Sequence, residues 1–361
     1  MSDSPAPLAY RPGLDVVRAV AILLVVVGHW ASPAFPISIV GYLTFFVLSG
    51  YFISGIVWKQ AVRVAAPGNW PRRLGVFYLR RALRTLPPYY AALLLSALLP
   101  LATVHEHPGW FVVPAANLLF YRLRHWGEGV GHFWTLAVDE QFYLLWPLLL
   151  TVVPRRLRWL GAVAAGGVAF RLAWRYWTKV EFTFVLLPSC LDMLAVGGML
   201  YLAEQQPWLR RLARRRWVVL AWLAWAGLWA GLRFARAETL WLLVYPAAGS
   251  LPAALTLAWA LHQPTRPAAE NRLLAAARWL GRRSYGCYLY HLMLPVFYQR
   301  AVFRLFPLSG AHGADWRAFW LSPVATVVVL TPLLLALAAL SWHWLEAPLN
   351  RWKNQLAYNP A

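Results

Sequence analysis

About ten stretches of this chain are apolar for long enough to cross a bilayer, and that pattern decides the solvent in which it folds. They lie near residues 14–32, 41–58, 87–104, 134–153, 158–173, 185–203, 217–232, 239–261, 284–306 and 318–345. The runs are continuous rather than alternating, and backbone groups in lipid need internal partners, so helices are indicated over a barrel. Composition agrees: 60% of residues are hydrophobic and 13% charged, too few charges to cover a soluble domain of 361 residues. The expected fold class is all-α, a polytopic membrane protein forming one domain over residues 1–361, with short tails at about 1–12 and 347–361. The stretch 108–121 is apolar but short and Pro-bounded, and reads as interfacial or re-entrant.

The basic residues give an independent test. With the N-terminus inside, Arg11, Arg18, Lys59, Arg63, Arg72, Arg73, Arg80, Arg81, Arg84, Arg155, Arg156 and Arg158 fall on the inner side. So do the Arg210–Arg216 cluster, Arg266, Arg272, Arg278, Arg282, Arg283, Arg351 and Lys353. That places 24 of the 34 basic residues inside and 10 outside, the positive-inside pattern of an N-in, C-in bundle. The net charge of +21 is then explained by topology and by anionic lipid. No nucleic-acid motif accompanies it, and nucleic acid is not an expected partner. Arg18 interrupts the first run, which argues against a cleaved signal peptide. Cys190 and Cys287 fall in different spans toward opposite sides, so neither a disulfide nor a metal site is expected. His105, Glu106 and His107 read as a solvated loop cluster, not zinc ligands.

Ionisable residues inside spans are costly and point to function when a partner or cavity can be named. The first span carries Arg18 and His29. Eleven residues make three turns plus roughly 20°, so both side chains leave one helix face about 16 Å apart. Asp15 and Arg18 form an i,i+3 pair whose role is either mutual neutralisation or chemistry. The fourth span buries Asp139 and Glu140 roughly 10 Å below its outer end, near the depth expected for His29. A carboxylate on one imidazole nitrogen would fix the tautomer and leave the other as a general base. Arg80, Arg81 and Arg84 cluster at the inner mouth and suit either phosphates or lipid head groups. Ser49-Gly50, near mid-membrane, admits close helix packing or a slender ligand.

Four stretches resemble the acyltransferase-3 family of integral-membrane O-acyltransferases. They are Leu14-Asp-x-x-Arg-Ala with Arg18-x10-His29, Phe45-Phe-Val-Leu-Ser-Gly-Tyr-Phe52, Arg80-Arg-x-x-Arg-x-x-Pro87 and Phe133-Trp-Thr-Leu-Ala-Val-Asp-Glu-Gln-Phe-Tyr-Leu-Leu-Trp-Pro147. Ser284-Tyr-Gly-Cys-Tyr-Leu-Tyr-His291 and Ser341-Trp-His-Trp-Leu-Glu-Ala-Pro348 match more loosely. The resemblance implies a ten-helix domain that takes an acyl group, commonly acetyl, from acyl-CoA on the cytoplasmic side. The acceptor is a hydroxyl of a sugar, lipid-linked glycan or similar molecule. Relatives are similar in needing the residues that map onto Arg18 and His29. The chain departs from the pattern in carrying Asp139 where a glutamate is usual, and Cys190 where many relatives have an arginine before Asp192. The esterase-like domain fused to some relatives has no counterpart in this sequence.

The expected site is therefore His29 as base, with Glu140 and Asp139 as its carboxylates. Arg18, Arg80, Arg81, Arg84 and Ser49 would hold acyl-CoA, without a metal. His291 and Glu346 are expected to be structural or to gate the cytoplasmic mouth. A proton-coupled transporter or flippase is the rival reading, but paired interrupted spans marking inverted repeats are missing. Arginine outnumbers lysine 31 to 3, which hints at a GC-rich bacterial genome and hence at a bacterial inner membrane.

Overall fold

The structure, a computed structural model, describes residues 10–31, 37–61, 70–99, 101–152, 154–263, 271–308 and 312–356. Arg63, Arg266, most of the expected N-terminal tail and the last five residues of the C-terminal one lie outside the described residues. The helices in chain order are α1 (Pro12–Trp30), α2 (Ile37–Ile56), α3 (Trp70–Leu98), α4 (Ala102–Glu106), α5 (Pro108–Val112) and α6 (Ala116–Leu123). Then come α7 (Phe133–Val152), α8 (Leu157–Thr178), α9 (Leu187–Ala203), α10 (Pro207–Leu212), α11 (Arg215–Phe234) and α12 (Glu238–Leu261). The last six are α13 (Arg272–Arg282), α14 (Ser284–Tyr290), α15 (Met293–Leu305), α16 (Gly313–Trp320), α17 (Pro323–Ser341) and α18 (Ala347–Gln355). No strand occurs among the described residues.

Five described helical segments are long and apolar enough to cross a membrane: Pro12–Trp30, Ile37–Lys59, Arg215–Phe234, Leu243–Leu261 and Pro323–Lys353. Their outward faces are apolar, with Val324 74% and Leu223 62% exposed. Such faces suit hydrocarbon and would aggregate in water. The other expected spans are also helical, but carry charge or are divided. Residues 87–104 begin midway along α3, which continues unbroken through Arg80–Arg84 and Pro87-Pro88. Residues 284–306 split into α14 and α15 around His291 and Leu292. The stretch 108–121 forms the short helices α5 and α6. Residues 347–355, expected as tail, form α18, which packs on α3.

Apolar on all sides, α2 sits at the centre, against α1, α7, α9 and α12. Its crossing with α9 is set by glycines: a Cβ on Gly50 would lie 1.9 Å from the Leu194 carbonyl oxygen, and one on Gly197 would lie 2.2 Å from that of Val47. Small residues of this kind let two backbones touch. One polar cluster fixes α8 on α9 behind this crossing. The Arg171 guanidinium is 1% exposed and reaches Asp192 at 2.8 Å, the Leu243 carbonyl at 2.8 Å and the Ser189 carbonyl. The arginine that Asp192 lacks two residues upstream in its own helix is thus supplied by α8.

Replacing Arg171 with leucine should destabilise the bundle by about 3–5 kcal/mol, because Asp192 would remain buried without a counter-charge. Adding Asp192→Leu should recover much of that loss. Thermal unfolding of the detergent-solubilised protein measures both, and equal melting of wild type and Arg171→Leu would show the pair to be inert.

Candidate active site

Between α1, α2, α3, α7 and α14 lies a cavity of about 360 Å³. Arg18 enters it from α1, Ser49 from α2, Arg81 and Arg84 from α3, and Asp139 from α7. Arg282 and Lys353 add two cations from α13 and α18, so the wall is strongly positive despite Asp139 and Glu346. Continuity of α3 explains the arginines: Arg81 and Arg84 are one turn apart on a rigid rod that passes the cavity. Arg81 also lies over the Tyr143 ring at 5.4 Å, an arrangement that holds a guanidinium in place without neutralising it. Beside Arg18, outside this cavity, the Tyr10 phenol donates to Asp15 at 2.7 Å. Burial and the neighbouring Asp15 raise its pKa, so it stays a neutral donor.

Thr135 and Tyr288 close the opposite part of the wall with their hydroxyls 2.7 Å apart. The Thr135 hydroxyl donates to the His132 carbonyl at 2.9 Å, so the Tyr288 hydroxyl is the donor to Thr135. Behind Tyr288 stand three histidines. The His291 ring lies 5.1 Å from Tyr288 and 5.1 Å from His29, and the His132 ring lies 4.9 Å from His291. His291 Nε2 is 3.1 Å from His29 Nδ1.

The hydrogen bonds set the protons of this dyad. His291 Nδ1 is 2.7 Å from the Tyr288 carbonyl, which only accepts, so Nδ1 carries the proton. In the neutral ring Nε2 is then an acceptor. Its neighbour, His29 Nδ1, must therefore donate, and His29 Nε2 is left with a free lone pair. Fully buried, His291 is anchored by its backbone, whose carbonyl accepts from Trp30 Nε1 at 2.8 Å, whereas His29 is exposed. His132 donates through Nε2 to the Leu289 carbonyl at 2.9 Å, leaving its Nδ1 without a hydrogen-bond partner.

An acyltransferase-domain family model matches residues 11–343, nearly the whole of the described bundle. The chain belongs to this family. Among relatives, it is 29% identical over 172 residues to the peptidoglycan O-acetyltransferase OatA of Listeria monocytogenes, covering 42% of this chain and 25% of that protein. It is 31% identical over 169 residues to the O-acetyltransferase OatA of Staphylococcus aureus, covering 41% of this chain and 26% of that one. The match thus spans about a quarter of the length of these relatives. No solved structure matches.

Within this member of the acyltransferase-domain family the expected residues separate into two groups. Arg18, Arg81, Arg84, Ser49 and Asp139 converge on the cavity. Arg80 does not line the cavity; it donates to the Leu356 carbonyl at 2.8 Å. The expected pairing of Glu140 or Asp139 with His29 is replaced by His291. Glu140 lies within hydrogen-bonding reach of Thr85 and beside Arg81, and Asp139 within reach of Ser49 and Tyr143. Glu346 lines the cavity and accepts from Ser341 at 3.1 Å. His291 is misplaced when its depth is counted from Ser284 as a membrane boundary. From Gly281, packed on the Asp15 carbonyl in the first turn of α1, α14 runs beside α1 and carries His291 to the far end, at His29 and Trp30. The loosely matching Ser284–His291 stretch was the available signal. Cys190 and Cys287 are both buried and free, and Asp15 meets Arg18 at 3.7 Å.

Proposed function

We propose that this chain is a membrane-embedded O-acyltransferase that moves an acyl group, commonly acetyl, from acyl-CoA to a hydroxyl of a cell-wall or related glycan. The observation that carries this reading is the division of labour along α1. Arg18 faces a cationic cavity at one end, and His29 is held at the other as a base with Nε2 free. The names of the relatives, O-acetyltransferases and in one case of peptidoglycan, support acetyl and glycan as the two substrates. The positive-inside count supports ten spans with the arginine end in the cytoplasm of a bacterial inner membrane.

In this scheme Arg18, Arg81 and Arg84 bind the donor's phosphates by charge-assisted hydrogen bonds, and Glu140 holds Arg81 in position. Asp139 and Ser49 line the path of the donor arm. Tyr288 stands between cavity and dyad, and its turning away from Thr135 brings the thioester to His29. His29 Nε2 takes the proton of the acceptor hydroxyl as its oxygen attacks the thioester carbon. The C–S bond breaks, the ester forms, and the proton passes from His29 to the departing thiolate. His291 keeps His29 Nδ1 as the donor throughout and favours the imidazolium when it forms.

Label transfer from acyl-labelled CoA into lipid and glycan fractions tests the scheme, in membranes carrying wild type or His29→Ala. Label that appears with wild type alone is the expected result and identifies the acceptor fraction. Equal label in both would remove His29 as the base, and glycan export lost without any label would favour the transporter.

A further inference from the structure

A second chamber, about 590 Å³ in volume, adjoins the cavity described above. The two share Arg18, Phe52, Arg84 and Arg282. These four residues form a doorway, in which the Arg18 guanidinium lies over the Phe52 ring at 5.1 Å.

The charge of the second chamber is unbalanced, with five arginines and a lysine against two carboxylates. Its two carboxylates are already matched: Glu204 takes Arg11 at 3.3 Å and the Tyr51 hydroxyl at 2.8 Å, and Asp15 takes Arg18 and Tyr10. Lys59, Arg155 and Arg282 also line it, and among the described residues none of them has a carboxylate within salt-bridge distance. Aromatic rings line the wall beside these cations. Tyr10, Tyr51, Phe52 and Tyr201 face the chamber, Tyr51 lying 5.8 Å from Tyr201, and the buried Trp58 backs Tyr201 and carries Arg155 over its ring at 5.6 Å.

Cations unmatched by carboxylates, set beside flat aromatic surfaces, recognise a phosphorylated nucleoside. The rings offer stacking to a base and the cations bind phosphate. A doorway of three arginines suits a diphosphate that joins such a nucleoside to a slender arm. We infer that the second chamber binds the nucleotide end of the acyl donor, with its diphosphate in the Arg18–Arg84–Arg282 doorway and its thioester arm in the first cavity. This inference rests on acyl-CoA being the donor. It divides the arginine end into two subsites and assigns Lys59 and Arg155, outside the first cavity, to donor recognition.

The test is direct binding rather than activity. The purified full chain in neutral-lipid nanodiscs is titrated with CoA and with 4′-phosphopantetheine, which keeps the arm but lacks the nucleoside. Wild type is compared with Lys59→Ala/Arg155→Ala. The expected result is that the double variant weakens CoA binding about tenfold while 4′-phosphopantetheine stays within about twofold. The retained arm binding also shows that the variant is folded. CoA affinity unchanged in the variant would overturn the inference and leave the donor reading standing. Equal weakening of both ligands would reduce the chamber to a general electrostatic field and overturn it also. Failure of wild type to bind CoA would remove the donor and the chamber's role together.

Discussion

Replacing His291 with leucine should lower acyl transfer about 10²–10⁴-fold, nearly as much as replacing His29 with alanine. Leucine fills the buried site but accepts no hydrogen bond, so the His29 ring loses its side-chain acceptor and keeps only its backbone contact with Val25. The ring can then adopt the other tautomer, in which Nε2 carries the proton and is no base. The loss should fall on kcat and leave the KM for the donor nearly unchanged, since the proposed donor site is the arginine-lined cavity beyond Tyr288. His291→Gln should recover part of the rate, because its amide oxygen can accept from Nδ1. Residues that work as a unit are non-additive, so His29→Ala/His291→Leu should be no slower than His29→Ala alone. Steady-state rates on labelled acyl-CoA measure all three. A His291→Leu enzyme within about threefold of wild type would show that the dyad does not set the tautomer.

Much of this architecture is legible from spacing. Arg18 and His29 belong to a single helix, and helical geometry alone places them on one face at two depths. The structure keeps that relation, α1 running from Pro12 to Trp30. The Arg81–Arg84 pair was legible for the same reason, and Arg80 was not: which side of α3 faces the cavity depends on its partners, not on its own sequence. Pairing across helices is likewise hidden. Glu140 and His29 were matched by expected depth, but depth along a span says nothing about azimuth, and α7 turns Glu140 toward Thr85 on α3. His291 escaped because α13 is charged enough to read as a loop, although it packs along α1. Arg171 escaped because its partner Asp192 lies 21 residues on, in another helix.

These misses share a cause. A membrane span has no hydrophobic contrast between its core-facing and lipid-facing sides, so periodicity, which orients helices in water, carries little here. The residues that do orient a span are its rare polar and small ones. Where such a residue has a motif-like neighbourhood, as Arg18 and His29 do, sequence suffices; where its partner is a single residue on a distant helix, only the assembled bundle shows it.

The Ser49-Gly50 pair shows how closely packing and function are set against each other. The packing role is observed at Gly50, which meets α9, while the adjacent Ser49 lines the cavity in which the proposed donor arm would lie. Gly50→Ala should therefore be the most damaging single-methyl change among the glycines of α2. Its Cβ would sit 1.9 Å from the Leu194 carbonyl oxygen and 3.0 Å from the Leu194 Cα, so backbone rather than a flexible side chain must move. Overpacking of a core typically costs about 1–3 kcal/mol, and a rigid helix crossing belongs at or beyond the upper end. Relief by separating α2 from α9 would also carry Ser49 away from Asp139 and widen the proposed donor path, so the surviving folded fraction should lose activity as well. Gly166→Ala is the matched control: α8 offers nothing within 4 Å of the new Cβ, and alanine in a helix should gain up to about 1 kcal/mol. Yield of monodisperse protein and thermal unfolding in detergent compare the two. Gly50→Ala melting at or above the wild-type temperature would show that the helices are free to part at this crossing, and that glycine there is not what holds the arginine-lined cavity in shape.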